Sequence, residues 1–575
     1  SITLAYSNRK EGKILKSEGD LYNASINRSP AAYLKNPPEE QAQYNDNVDR
    51  KMILLKFVTM NNVPIGMINW FAVHPVSMNN TNTLVSSDNK GLAAILFEQK
   101  MNGNQMLGKG PFVAAFAQAN EGDVSPNTAG PRCIDTGLPC DFVHSSCGGR
   151  AQNCIAFGPG ADMFESTKII ARKQFEKAWS LFNNATMEIN GSVSFIHQYV
   201  DMTNISVYYK VSYNPIVILI HVKNTLGTTC KPAMGFSFAA GTTDGPGDFD
   251  FTQGTTEGSL FWKIVRDFLK KPSETMIKCQ SPKPVLLATG EMDLPYPWQP
   301  SIVETQILSV GPILIVALPG EFTTMSGRRI REAVAKTANK AAKQNNSSEI
   351  KRYEVILAGL SNVYSSYVAT TEEYQLQRYE GASTIYGPLT LPAYVQQFTG
   401  LAEALVQGKQ LPKGPVAPYF ANKLLSFVPK VLFDTAPLGK DFGTVLKQPN
   451  SVYEKKSDIV EVHFVSASPR NNVRLNGTYL VVERYNKTLN RWNIVYTDAN
   501  WETKFIWNRE GIFSWLLRRS CAVVKWTVSS IDGVCIPGTY RIRHFGTSKS
   551  ILGHVRHFTG ETKAFEVLCK RDEDI

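Results

Sequence analysis

A mixed α/β domain followed by a smaller β-sandwich is the fold class this sequence predicts, and three observations predict it. Segments of helical and of strand periodicity interleave over residues 1–430, the mark of a large α/β or α+β domain. Short alternating apolar runs separated by turns fill residues 440–575, the pattern of a β-sandwich. Between them the texture changes at Gly439-Lys440-Asp441-Phe442-Gly443, after a Pro-rich crossing LPKGPVAPYF. At 575 residues the chain is too long for one simple core.

The elements follow in order. SITLAYSNRKEGKI reads as the end of a helix and a turn, so the expectation is a chain that begins inside a domain. MILLKFVTMNNVPIGMINWF, Met52 to Phe71, predicts two strands joined by a polar turn. SSDNKGLAAILFEQKMNG predicts a helix opened by Ser87 or Asp88. Phe112 to Gln118 is a buried strand running into the turn ANEGDVSPNTAG. Helical spacing continues over 162–188, and residues 192–211 and 213–223 read as paired strands. FWKIVRDFLK and SGRRIREAVAKTANKAAK add helices, and VILAGLSN is strand then loop. The longest apolar run, ILSVGPILIVALPG, is too short for a spanning helix and reads as core strands. VEVHFVSAS, TYLVVERY, RWNIVYTD, KFIWN, AVVKWTVS and GTYRIRHFG supply the late strands.

Composition narrows the function classes. The chain is 43% apolar and 19% charged, ordinary globular material. Its net charge of +11 suits an anionic surface, yet no basic block interleaved with aromatics reads as a nucleic-acid surface. Nine cysteines are present. Cys133, Cys140, Cys147 and Cys154 recur every seven residues in a Gly/Pro/Asn/Ser-rich segment. Their gaps are wider than those of a zinc knot and favour local disulfides. Cys230–Cys279 and Cys521–Cys535 are further candidate pairs, leaving Cys569 over. Sequons occur at Asn23, Asn27, Asn79, Asn184, Asn190, Asn204, Asn345, Asn346, Asn476 and Asn486. With the cysteines they point to a secreted protein, or one on the extracellular face of the plasma membrane.

Candidate site residues sit where strands end. His74, one of only eight histidines, follows an apolar strand in WFAVHPVSMNN and is either a metal ligand or a structural imidazole. Glu321 ends another strand in VALPGEFTTMSGRR, where it suits a cation or the backbone amides of a helix start. Tyr367 and Tyr379 are two of 22 tyrosines, most of which must be packing or surface residues. Arg28 in INRSPAAYL has the chemistry of an oxyanion clamp. Ser125 in GDVSP lacks the G-x-S-x-G elbow and an assignable base, so a turn hydroxyl competes with a nucleophile.

WFAVHPVSMNN, NEGDVSPNTAGPRC, GPGADMFESTKI, PGEFTTMSGRR, SNVYSSYVATTEEYQLQRYEGASTIYGP and NWETKFIW, taken together and in order, resemble the neutral ceramidase family through nearly the whole chain. The resemblance implies a zinc amidase domain, 1–430, followed by an immunoglobulin-like β-sandwich, 440–575. It implies zinc-dependent cleavage of ceramide to a sphingoid base and a fatty acid at a membrane surface. His74, Glu321 and Tyr367 are then zinc ligands, and Arg28 and Tyr379 contact the scissile amide oxygen. Ser125 matches a motif serine in a catalytic, substrate-contacting or site-organising role. The family's other zinc-binding histidine lies in a His-Thr-His-Ser-Gly-Pro-Gly-like segment upstream of the match to Arg28, and no such segment occurs here. His144, His197 and His221 do not match its context. The expectation is an N-terminally truncated chain, with a catalytically inactive lipid-binding or interaction form as the alternative.

Overall fold

The computed structural model describes residues 6–7, 9–103, 105–212, 222–344, 352–509 and 511–570. His221 and the sequon residues Asn345 and Asn346 lie outside them, as does most of the 213–223 strand. The chain divides into two compact units, Ser1–Met101 with Pro111–Asn422, and Asn102–Gly110 with Lys423–Ile575. No helix among the described residues is long and apolar enough to cross a membrane.

The first unit is built on two sheets. One contains β1 (Gly12–Asp20), β2 (Lys51–Thr59), β3 (Pro64–Trp70), β4 (Val113–Ala117) and β5 (Met187–Glu188), in the order β4-β3-β2-β1-β5. The other contains β6 (Val193–Asp201), β7 (Ile302–Val310), β8 (Ile313–Ala317) and β9 (Glu354–Ala358), in that order. Only β3–β4 and β8–β9 run parallel within them. The residues expected to start a local hairpin at 192 pair instead with β7, over 100 residues away. Ser206–Ser212 does meet Val222–Thr228 as an antiparallel pair.

Among the described residues, four long helices cover these sheets, α1 (Asp88–Asn102), α2 (Met163–Asn184), α4 (Thr324–Gln344) and α5 (Thr390–Val406), while α3 (Leu260–Lys270) packs instead on the short strand Val285–Leu287. Asp162 caps α2 by accepting from Glu165 N at 2.7 Å. The rings of Phe97, Phe112, Trp179 and Phe182 fuse α1 and α2 onto the first sheet. Ile330, Val334 and Ala338 of α4, with Phe398, Leu401 and Ala402 of α5, pack against Leu314, Val316, Val355 and Leu357 of the second. Ile53, Leu55 and Trp70 share a cluster with Ile313 and Ile356, which joins the two sheets. Helical and strand periodicity thus each bury one stripe, and the strand ends are left to carry side chains.

The second unit corrects the expected immunoglobulin-like β-sandwich. One sheet has four strands, β10 (Val445–Lys447), β12 (Ile459–Ser466), β16 (Ser520–Thr527) and β15 (Thr503–Asn508), in that order. The other has six, β11 (Val452–Lys455), β19 (Phe565–Lys570), β17 (Gly538–Lys549), β13 (Leu480–Asn486) and β14 (Arg491–Thr497), with β18 (Val555–Glu561) branching from β17. Neither closes on itself. The β11–β19 edge is parallel and the branch splits β17 between two partners, unlike the all-antiparallel immunoglobulin sheets. Alternation of period two reports that a strand is half-buried, not which strand it pairs with.

Four disulfides are present among the described residues. Cys133–Cys147 and Cys140–Cys154 interlock within the loop expected to hold local bridges, and Cys230–Cys279 forms as anticipated. The fourth is Cys535–Cys569 rather than Cys521–Cys535. It ties the segment before β17 to β19.

Candidate functional site

Two minimal strand pairs assemble the site. Glu321–Phe322 and Tyr367–Val368 run parallel, with Glu321 directly opposite Tyr367. These segments follow β8 and β9, themselves parallel neighbours, so the sheet delivers both side chains to one place. Ile26–Asn27 pairs with Val124–Ser125, and Arg28 N donates to Asp123 O at 2.8 Å. Gly122 lies between the two pairs. A Cβ there would stand 2.8 Å from both Glu321 O and Phe322 C, which explains the glycine of NEGDVSPN.

His74 is fixed against the same motif. Its Nδ1 lies 2.9 Å from Val124 O, and its Nε2 lies 2.6 Å from Glu321 Oε2 and 3.3 Å from the Tyr367 hydroxyl. A carbonyl oxygen only accepts, so Nδ1 carries a hydrogen. At that separation Nε2 and the carboxyl oxygen either share a proton or are bridged by a metal cation. An imidazole held from behind by a backbone carbonyl is the usual form of a metal-binding histidine. Tyr364, unnoticed in the sequence, donates to Glu321 Oε1 at 2.6 Å. Burial alone would raise the Glu321 carboxyl, but His74 and the hydroxyls of Tyr364 and Tyr367 hold it down at about 2.

Arg28 occupies the other side. Its Nε donates to Glu380 Oε1 at 2.9 Å and Nη1 to Asp244 Oδ2 at 3.3 Å; Nη2 reaches Gly122 O at 3.0 Å and Tyr367 OH at 3.1 Å. Burial works against the guanidinium, yet Tyr367, Glu380 and Asp244 keep its pKa raised well above the ordinary value. These bonds use four of its five N–H groups and leave one on Nη1. Tyr379 meets the Tyr367 ring edge-on at 5.2 Å. Burial raises both phenols, so they stand protonated at neutral pH.

Ser125 is fully buried and donates to Asp244 Oδ1 at 2.5 Å, while its oxygen accepts from Asn127 N at 3.0 Å. It therefore orients the carboxylate that pairs with Arg28. Asn27 and Thr324 grip Asp123, and Asn120 holds Asp49 and Thr324. Asn27 is thus buried and committed, and its sequon is not a surface acceptor. His144 pairs with Asp141 at the surface and His197 with Glu304, apart from this cluster.

A cavity of about 340 Å³ opens over Arg28, His74, Asp244, Tyr367 and Tyr379, walled by Val76, Met78 and Gly241. A larger one, about 860 Å³, lies elsewhere between Glu18, Asp49, Arg328 and Glu354 and shares none of these side chains. Asp244 and Glu380 carry little sequence signal, one in the glycine-rich turn GTTDGPGD and the other beside Tyr379.

The zinc part of the fold-class expectation is also corrected. Among the described residues, three His, Cys, Asp or Glu ligand atoms come together only at Cys133, Cys140 and Cys147. As thiolates these could hold a metal, but here they are closed into disulfides. The site has instead one imidazole nitrogen, one carboxylate and one phenol oxygen, an N/O set whose chemistry fits zinc.

Comparison with known proteins places this arrangement in a family. The family model described as neutral/alkaline non-lysosomal ceramidase, N-terminal, matches residues 1–396, and its C-terminal counterpart matches 398–567. A neutral ceramidase of Drosophila melanogaster is 46% identical over 571 residues, covering 98% of this chain and 78% of that protein. Neutral ceramidase B of Dictyostelium discoideum is also 46% identical, over 96% of this chain and 73% of its own length. The crystal structure of neutral ceramidase from Pseudomonas aeruginosa superposes with a TM-score of 0.78 at 32% identity, over 99% of this chain and 79% of that one. With both family models matched in order along the same polypeptide, the chain belongs to the neutral/alkaline non-lysosomal ceramidase family.

Proposed function

We propose that this protein hydrolyses the amide bond of ceramide, releasing a sphingoid base and a free fatty acid, with zinc as cofactor. The observation that carries the reading is the convergence of the His74–Glu321–Tyr367 donor set and the Arg28 guanidinium on one cavity. His74, Glu321 and Tyr367 would hold the zinc, which supplies Lewis acidity and lowers the pKa of a water. Arg28 directs its remaining N–H at the scissile carbonyl oxygen and stabilises charge as the tetrahedral intermediate forms. Tyr379, a protonated phenol next to Arg28, orients the same oxygen. Asp244 and Glu380 keep the guanidinium in place, and Ser125 keeps Asp244 in place. Val76, Met78 and the Tyr379 ring give the cavity an apolar wall for an uncharged lipid amide.

Secretion, or the extracellular face of the plasma membrane, is the proposed location; four disulfides support it. The chemistry is assigned to residues 1–430, with 440–575 as a separate domain. A catalytically inactive lipid-binding form is the second reading, favoured by a donor set of three protein groups where the resemblance implies four. The deciding experiment is release of fatty acid from ceramide by the purified chain, with zinc supplied and after chelation. Zinc-dependent turnover supports the proposal. Turnover unaffected by chelation refutes the role of zinc, and no turnover on any N-acyl sphingoid refutes the hydrolase reading.

A further inference from the structure

Helix α3 is apolar on the side that faces solvent. Leu260, Phe261, Ile264 and Phe268 are 76%, 64%, 63% and 91% exposed. At 100° per residue these four fall within one arc of the helix. Trp262 and Val265, both half-buried, lie away from that arc and line a cavity of about 320 Å³ with Phe251, Leu286 and Leu287, and Leu269, 54% exposed, sits at its rim. The helix is therefore anchored by its inner side, and its outer face is unused by the fold. Ser259 caps its start by accepting from Trp262 N.

Charge borders the exposed stripe on one side. Lys263 and Lys270 flank it and Lys271 follows directly. Asp267 is neutralised by its 2.6 Å bridge to Arg266. A bulky apolar face edged by lysines is the composition of a helix that lies in the plane of a lipid surface. The cationic balance of the whole chain, +11, complements an anionic leaflet in the same sense.

The inner side of the helix leads to the candidate site. Trp262 packs on Phe251 with ring centroids 4.6 Å apart, and Phe251 on Phe236 at 6.1 Å. Phe236 and Phe238 belong to one short helical turn, Phe236–Ala239, and Phe238 stacks on Tyr379 at 6.1 Å. Two sets of ring contacts, joined by the backbone of this one turn, thus link the exposed helix to Tyr379 at the cavity.

We propose that α3 is a docking helix for an anionic phospholipid bilayer, with Leu260, Phe261, Ile264 and Phe268 in the acyl boundary and Lys263, Lys270 and Lys271 among the headgroups. Its meaning for catalysis rests on the ceramidase reading, since the substrate would then be drawn from the same bilayer; the docking itself does not. The test is co-sedimentation of the full chain with phosphatidylcholine vesicles, with and without phosphatidylserine. Wild type is expected to bind the anionic vesicles. Ile264→Ser/Phe268→Ser should lower the partition coefficient at least tenfold. Lys263→Glu/Lys270→Glu should lose the preference for phosphatidylserine. Leu475→Ser, at an apolar residue 84% exposed in the other unit, should bind as wild type does.

Absence of vesicle binding by wild type overturns the proposal. So does unchanged binding by both double variants, or a dimer in light scattering that Ile264→Ser/Phe268→Ser dissolves in a chain with no affinity for vesicles. The charge-reversal pair keeps the test decisive if the serine pair fails to fold. Hydrolysis of a soluble short-chain ceramide by wild type is read alongside; its absence refutes the proposed function while leaving docking standing.

Discussion

Removing the charge of Arg28 while keeping its bulk, as in Arg28→Met, separates its structural role from its chemical one. The guanidinium is held between Glu380 at 2.9 Å and Asp244 at 3.3 Å, and all three side chains are at most 4% exposed. Its loss leaves two buried carboxylates facing an apolar chain. Breaking a buried pair from one side costs about 3–5 kcal/mol, because the orphaned charge stays out of water. With two carboxylates orphaned, the upper end of that range is expected. Neutralising them as well, in Arg28→Met/Asp244→Asn/Glu380→Gln, should recover all but about 1 kcal/mol of it. Ceramide hydrolysis should not return, since the N–H aimed at the carbonyl is absent in both variants; loss of such a donor costs roughly 10²–10³ in kcat. Urea unfolding followed by tryptophan fluorescence gives the stabilities, and fatty-acid release gives the rates. A single variant as stable as wild type would show that the two carboxylates do not depend on Arg28, and a triple variant that regains turnover would show that its guanidinium is not needed for hydrolysis.

Three further outcomes are expected. Ser125→Ala should keep activity within about tenfold of wild type and cost about 1.5–3 kcal/mol, the worth of a bond to the charged Asp244; loss of turnover by several orders of magnitude would make the serine a nucleophile. Gly122→Ala should destabilise by about 1–3 kcal/mol and abolish most activity, because its Cβ would press on backbone atoms of Glu321 and Phe322; wild-type rates would show that the two strand pairs move independently. Lys90 is buried, and burial, only partly offset by Glu121, lowers its ammonium pKa to about 7. The unfolded chain holds that proton up to its ordinary value near 10.5, so wild type should gain up to about 1.4 kcal/mol per pH unit relative to Lys90→Met between pH 7 and 10.5. Urea midpoints at pH 7, 8.5 and 10 check it, and a pH-independent difference would refute it.

The long periodic elements were legible because their signals are local. The strand expected at Phe112–Gln118 is found at Val113–Ala117, and the helix opening at Ser87 or Asp88 begins at Asp88. Pairing was not legible in the same way. Nothing in the 192–201 segment says that its partner begins at 302, and in the second unit the same gap in information hid the parallel edge and the branch. In the site, the resemblance named His74, Glu321, Tyr367, Arg28 and Tyr379, and these do converge. Their supports were missed: Asp244 and Glu380 lie 216 and 352 residues from Arg28, and Tyr364 is one tyrosine among many. A buried arginine needs carboxylates, and that rule alone would have prompted a search for two acids.

The direct opposition of Glu321 and Tyr367 bears on the order in which the molecule matures. Both residues ride on the ends of parallel strands separated by α4, so neither can reach the other until that crossover has closed. Arg28 arrives beside the Ile26–Asn27 strand and His74 from the end of β3, through contacts that span hundreds of residues. Helices and hairpins can form well before then. In a refolding experiment, recovery of helical circular dichroism should therefore run ahead of recovery of activity, and enzyme assay becomes a reporter of the last long-range closures rather than of secondary structure.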